Sequence, residues 1–154
     1  MENPLGDEQR SRVLVTGGSG FIGRRLVAAL LDSGAEVTVA DKHEPSVPGV
    51  SAVVGDLREP SVADQAVAAG TDVIVHLAAR AGVRPSIEDP VGYQQVNVTG
   101  TQALLELARR IGTRQFVFAS SSSVYGVNPN VPWREDDHVL QPISPYASTK
   151  ISGE

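Results

Sequence analysis

Tyr146 and Lys150 stand four residues apart in the segment Tyr146-Ala147-Ser148-Thr149-Lys150. On a helix that spacing puts both side chains on one face, one turn apart. A free phenol has a pKa of about 10 and is a poor base near neutrality. A neighbouring ammonium favours the phenolate, which makes the pair a candidate acid/base unit. A second cluster lies near the start of the chain, where Gly17, Gly18, Gly20 and Gly23 in TGGSGFIG (Thr16–Gly23) match both G-x-G-x-x-G and G-x-x-G-x-x-G. One glycine of such a loop takes positive φ, one lets backbone N–H groups approach a pyrophosphate, and one lets the following helix pack closely on its strand. The helix N-terminus then offers positive partial charge to the phosphates.

Fifteen glycines in 154 residues produce this spacing by chance, so context decides. Here the glycines follow an apolar strand candidate, Arg12–Thr16, and open a helical pattern, Phe21–Leu31. That is the setting of a dinucleotide loop. Gly17, Gly20, Phe21, Ile22 and Gly23 are therefore candidate cofactor contacts. Asp41 lies 18 residues after Gly23, at the end of a second strand candidate, Glu36–Ala40. A carboxylate there accepts from both hydroxyls of the adenosine ribose and repels a 2′-phosphate, which favours NAD over NADP. Lys42 beside it works in the opposite sense. Asp56-Leu57 is placed for the adenine edge.

The elements that must carry these residues alternate along the chain. Further strand candidates are Ser51–Val54, Asp72–Leu77 and Gln115–Ala119, with helical patterns at Pro60–Ala69, Tyr93–Arg110 and from Tyr146 onward. The first helix shows Ile22, Leu26 and Leu30 as its apolar stripe, and the longest shows Val96, Gly100, Leu104, Leu107 and Ile111. Arg80–Pro90 and Val127–Pro145 read as loops, and residues 1–11 as a flexible tail. Strands with few charges, separated by helix-length segments, imply an α/β doubly wound parallel sheet of the Rossmann kind with five strands. Ligands of such sheets sit at the carboxyl ends of the strands. There the chain carries Gly17–Gly20, Asp41, Asp56, Ala78–Arg80 and the serines 120–123.

Composition sets outer bounds. Apolar residues make up 41% and charged residues 20%, as in globular domains. The net charge is −5 and no basic run stands out, so a nucleic-acid partner is not expected. The absence of Cys removes disulfides, thiolate metal sites and Cys nucleophiles. No apolar run approaches a membrane span and the start is not that of a signal peptide, so a cytoplasmic location is expected.

Six ordered motifs carry a family resemblance: TGGSGFIG (Thr16–Gly23), GDL (Gly55–Leu57), HLAA (His76–Ala79), NVTGT (Asn97–Thr101), SSSSVYG (Ser120–Gly126) and SPYASTK (Ser144–Lys150). Together they resemble the extended short-chain dehydrogenase/reductases, in particular the NAD-dependent sugar-nucleotide epimerases and dehydratases. The resemblance covers residues 12–154. It implies NAD as cofactor, Tyr146 as base, and Lys150 as the group that binds the nicotinamide ribose and tunes Tyr146. It also implies Ser121 as the residue that orients the sugar hydroxyl, and Asn97, Leu77, Ala78 and Ala79 as parts of the cofactor site. His76 lies in the apolar run of a strand and reads as structural or cofactor-side.

Within that family the residues after Ser121 separate the chemistries. Dehydratases resemble T-D-E-V-Y-G and decarboxylases T-S-E-V-Y-G, whereas this chain has Ser122 and Ser123 and so lacks a carboxyl for elimination. A 4-epimerase needs none. The loop Ala79–Ser86 (ARAGVRPS) resembles that of UDP-glucuronate 4-epimerases, and Arg84, Ser122 and Ser123 are candidates to bind a hexuronate carboxylate. The expectation is an NAD-dependent UDP-hexuronate or UDP-hexose 4-epimerase whose parent pairs as a homodimer. Family members are about twice this length, so the chain is expected to be an N-terminal part, inactive alone, without the substrate domain. The alternatives are a non-catalytic NAD-binding module, or another nucleotide-sugar enzyme of the same family, a dehydratase or decarboxylase; an intact Ser121, Tyr146 and Lys150 set argues for turnover.

Overall fold

The computed structural model describes residues 10–67, 70–137 and 141–154. The expectation of a flexible tail falls largely on residues 1–9, outside the described residues. Five parallel strands form one sheet: β1 (Arg12–Thr16), β2 (Glu36–Asp41), β3 (Ser51–Val54), β4 (Val73–His76) and β5 (Gln115–Phe118), in the order β3-β2-β1-β4-β5. This is the doubly wound, Rossmann-like order, with β1 central and the chain reversing direction of travel between β3 and β4.

The alternation of β1 explains why both faces are covered. Val13 and Val15 join Val27, Val37 and Val39 in one buried cluster beneath α1 (Phe21–Asp32). Leu14 points the other way, to Ala40, Ile74 and helix residues 63, 66, 104, 107 and 108. Those belong to α2 (Pro60–Ala66) and α5 (Gly100–Ile111). Successive residues of a strand face opposite sides, so one apolar run feeds two cores.

Three details depart from the sequence expectation. The buried stripe of α1 is Gly23 and Val27 with Leu26 and Leu30 partly covered, whereas Ile22 is 66% exposed. Gly23 causes the rotation. A Cβ built there would meet the Gly17 carbonyl oxygen at 2.3 Å, so the helix presses its glycine onto the loop and turns Ile22 outward. The stretch expected as a loop at Arg80–Pro90 contains a helix, α3 (Val83–Glu88), started by Gly82 at φ 105°. The long helical pattern begins earlier and is interrupted: α4 (Pro90–Gln94) runs into a π-helical turn at Gln95–Thr99 and then α5. Pro90 at the first helical position and the Asp89 carboxylate accepting from Gly92 N–H start α4. A π turn is set by the packing around it and leaves no local signature. α2 ends at Ala66; the remainder of the expected helix includes residues 68–69, outside the described ones. A short 3-10 helix (Ser122–Tyr125) and α6 (Pro145–Ile151) complete the elements, and no described helix is long and apolar enough to cross a membrane.

Candidate active site

A cleft of about 310 Å³ lies at the carboxyl ends of the strands. Its walls are Gly17 and Gly20 after β1, Asp41 at the end of β2, Gly55, Asp56 and Leu57 after β3, and Leu77, Ala78 and Ala79 after β4. The glycines divide their tasks. Gly17 turns the chain at φ 72°, and a Cβ on it would meet the Ala78 nitrogen at 2.7 Å. Gly20 caps α1 with no side-chain hydrogen bond, and no acidic residue lies in the first turn. The first N–H groups of α1 are thus open to an anion, with Phe21 (78% exposed) and Ile22 flanking them. These features fit a dinucleotide pyrophosphate.

The two carboxylates after β2 and β3 differ. Asp41 accepts from the Ser19 N–H at 3.0 Å on Oδ2 and from the His43 N–H at 3.1 Å on Oδ1, with His43 Nδ1 3.5 Å from the same Oδ1, so Oδ2 is the more open oxygen. Asp56 is held by cations. Arg58 bonds it in a fork at 2.7–3.1 Å and Lys42 Nζ lies 2.8 Å from Oδ2. The Arg58 hydrogen bonds, aided by Lys42, keep the Asp56 carboxyl far below the usual range. The Lys42 that weighed against NAD therefore faces Asp56, a pairing that sequence distance conceals.

The acid/base candidates gather around α6. Ser144 caps it by accepting from the Ala147 N–H, and Pro145 occupies its first turn. α3, α4, the π turn and the 3-10 helix all pack against it. The 3-10 helix starts at Ser121, whose Oγ accepts from the Ser123 N–H at 3.2 Å. Ser121 and Ser123 are half-buried, Ser122 is exposed, and Arg84 is exposed on α3. Tyr146 is half-buried and meets Tyr93 edge-on at 6.2 Å. Tyr93 is a residue the sequence reading missed as part of this site. It is 2% exposed, donates to the Ala81 carbonyl at 2.6 Å, and carries the Arg80 guanidinium over its ring.

Lys150 is only 3% exposed. Its ammonium donates to the Ala119 carbonyl at 2.7 Å and stands 4.7 Å from the Phe118 ring centre and 6.0 Å from that of Tyr146. Burial pushes its pKa down. One acceptor among the described residues leaves two N–H bonds for a ligand. Asn97 is 2% exposed and its amide is consumed internally: Oδ1 accepts from Arg80 N–H, and the two protons go to the Arg80 carbonyl and Thr149 Oγ1. It holds the loop that walls the cleft and makes no free contact of its own. His76 is 4% exposed, between Thr16 and Thr101, and burial, with Lys150 nearby, lowers its pKa to about 4. Ser121, Tyr146, Lys150 and Asn97 do not line the cleft itself.

Residues 13–154 match the model of the NAD dependent epimerase/dehydratase family. The chain belongs to that family. It is 36% identical over 159 residues to a probable UDP-glucuronate 4-epimerase of Rhizobium meliloti, covering 93% of this chain and 47% of that protein. An epimerase of Methanothermobacter thermautotrophicus superposes with a TM-score of 0.88 at 32% identity, over 94% of this chain and 45% of that one. UDP-glucose 4-epimerase of Thermus thermophilus, solved in complex with NAD, gives 0.84 at 39% identity, over 92% and 48%. The chain thus spans slightly less than half the length of these relatives.

Proposed function

We propose that the chain carries the NAD-binding and proton-transfer residues of a UDP-hexuronate or UDP-hexose 4-epimerase, acting in a protein of the relatives' length. The observation that carries this reading is α6. It holds Tyr146 and the buried Lys150 one turn apart, packed against the 3-10 helix that begins at Ser121, at the same edge of the sheet as the dinucleotide cleft. Bound NAD supplies a reversible hydride acceptor. Tyr146 Oη takes the proton of the sugar C4 hydroxyl as that carbon is oxidised, and returns it after the keto-sugar has turned its other face. Lys150 gives the Tyr146 ring a positive neighbour, and the two N–H bonds not used on Ala119 would hold the nicotinamide ribose. Ser121 orients the hydroxyl. Asp41 receives the adenosine ribose through its free lone pairs, which favours NAD over NADP.

No carboxyl stands at Ser122 or Ser123 to eliminate water from the sugar or assist loss of its carboxyl group. The chemistry these residues would leave to a bound NAD is inversion at C4 with no net loss of water or carboxylate. Arg84, on a helix packed against α6, is the candidate to read a hexuronate carboxylate with the two serines. The test incubates protein of the relatives' length with UDP-glucuronate and, separately, UDP-glucose, without added cofactor, and resolves the sugars by NMR. Inversion at C4 is expected. A 4-keto-6-deoxy sugar or a pentose overturns the argument from the missing carboxyl.

A further inference from the structure

We propose that His76 is a positioning residue: as the neutral imidazole protonated on Nε2, it ties the glycine loop to the Tyr146 helix through one directional chain of buried hydrogen bonds. The role rests on the reading of Tyr146 as base; the chain of bonds is independent of it.

The direction of each bond follows from counting protons. The Thr101 hydroxyl donates to the Asn97 carbonyl at 2.7 Å, which uses its single proton. Its 2.9 Å contact with His76 Nε2 therefore needs a proton on that nitrogen. In a neutral ring Nδ1 is then an acceptor, and the Thr16 hydroxyl 2.6 Å away donates to it. Thr16 Oγ1 in turn accepts from the Ala78 N–H at 3.3 Å. On the far side, the Asn97 amide donates to Thr149 Oγ1 at 3.0 Å, and the Thr149 hydroxyl donates to the Tyr146 carbonyl at 2.7 Å. No donor faces a donor anywhere along this path.

Its two ends lie at the two halves of the proposed reaction. Thr16 immediately precedes Gly17, and Ala78 walls the cleft; Tyr146 lies in the first turn of α6. Thr16, His76, Asn97, Thr101 and Thr149 are each at most 4% exposed, and no buried side-chain polar atom among the described residues lacks a partner. A fully satisfied network in a low-dielectric interior specifies one geometry. Phe116 and Phe118 flank the imidazole at 5.9 and 6.0 Å, and the Lys150 ammonium is the charged group that acts on it. An apolar side chain would complete β4 equally well as packing; an imidazole adds two hydrogen-bonding atoms that reach the neighbouring strand β1 and helix α5 at once.

The 154-residue chain allows the test. Two-bond ring correlations by proton–nitrogen NMR should show Nε2–H and a bare Nδ1 at neutral pH. In Thr101→Val, which keeps shape and removes the hydroxyl, NAD affinity should fall about three- to tenfold, the weight of one net hydrogen bond. Amide exchange at Ser148, in the catalytic helix, should quicken. Thr101→Ser should restore both. An Nδ1–H ring in the wild type, or unchanged affinity and exchange in Thr101→Val, overturns the proposal. A wild type that does not bind NAD rejects the NAD reading, while the ring tautomer and the Ser148 exchange still decide the network. If Thr101→Val fails to fold, the wild-type tautomer and the Thr101→Ser chain decide it.

Discussion

The glycine loop after β1 and the α6 region beside the end of β5 both lie at the carboxyl ends of the strands but are built from different material. At the loop the working groups are backbone: the Gly17 turn, the uncapped N–H groups of α1, and the close contact of Gly23 with Gly17. Around α6 they are side chains: the Tyr146 ring against Tyr93, the Lys150 ammonium on Ala119, and Ser121 capping its own short helix. A backbone device depends on contacts a few residues apart and tolerates no added atom. A side-chain device depends on five elements from distant parts of the chain and tolerates loss of one atom without losing its shape. The first should therefore fail through stability and cofactor affinity together, whereas loss of the Tyr146 hydroxyl in the second should be felt in turnover.

The sharpest separation is expected from Tyr146→Phe in protein of the relatives' length. Turnover should fall about 10²–10⁴-fold, the usual weight of a positioned acid/base. NAD affinity and the melting temperature should stay near wild type. Steady-state epimerisation alongside a cofactor titration checks this, and an equal loss in both would merge the two regions.

A pH series probes the seam between them. His76 has its pKa lowered from 6.5 to about 4 by burial and by Lys150. Between those values the unfolded chain binds a proton that the folded chain refuses, so stability rises with pH across that window. It is lost as pH falls through 6.5 toward 4, by at most about 3 kcal/mol at 1.36 kcal/mol per unit. Urea midpoints of wild type and His76→Phe between pH 7 and 4.5 measure it. The variant should lack the part of the slope that belongs to this ring.

Gly23→Ala attacks the backbone device directly. Its new Cβ would stand 2.3 Å from the Gly17 oxygen and 2.6 Å from Gly18 Cα, both backbone atoms that cannot swing away. A loss of about 2 kcal/mol in stability is expected, as for other overpacked sites, with weaker NAD binding. Thermal unfolding and titration of the same sample check both. Unchanged stability would mean that the loop can move apart from α1.

The smallest effect is expected at Asp41→Ala, which removes one carboxylate and leaves the loop. NAD affinity should drop about tenfold and the preference over NADP should narrow. Parallel titrations with both cofactors are decisive, and a wild type that binds them equally contradicts the role of Asp41.

The glycine loop was legible because its constraints are local: a positive φ, a close approach and a helix start each demand a residue type within eight positions. The parallel sheet was legible in the alternation of apolar runs with helical patterns, since parallel strands need covered crossovers, whereas the order of its strands came from the structure. Around α6 the spacing of Tyr146 and Lys150 could be read, but not its setting. Nothing near Tyr93 in sequence announces that its ring meets Tyr146, and nothing near Lys42 announces Asp56, because the first contact forms only when α4 packs on α6 and the second only when the ends of β2 and β3 come together. The helix at Val83–Glu88 was hidden behind Gly82 and Pro85, which read as loop residues. The π turn at Gln95–Thr99 was hidden because a helix interior and a helix with one extra residue per turn share the same local preferences.

The sequence alone determined the parallel sheet, the glycine loop and the one-turn spacing of Tyr146 and Lys150, since each follows from residue types at short, regular spacing. Tertiary structure decided which groups are spoken for: Asn97 with no free amide proton, Lys42 turned to Asp56, His76 held between two threonines. The reason is physical. A buried polar group must find a partner, and which partner it finds depends on the chain segments that packing brings within about 3 Å of it.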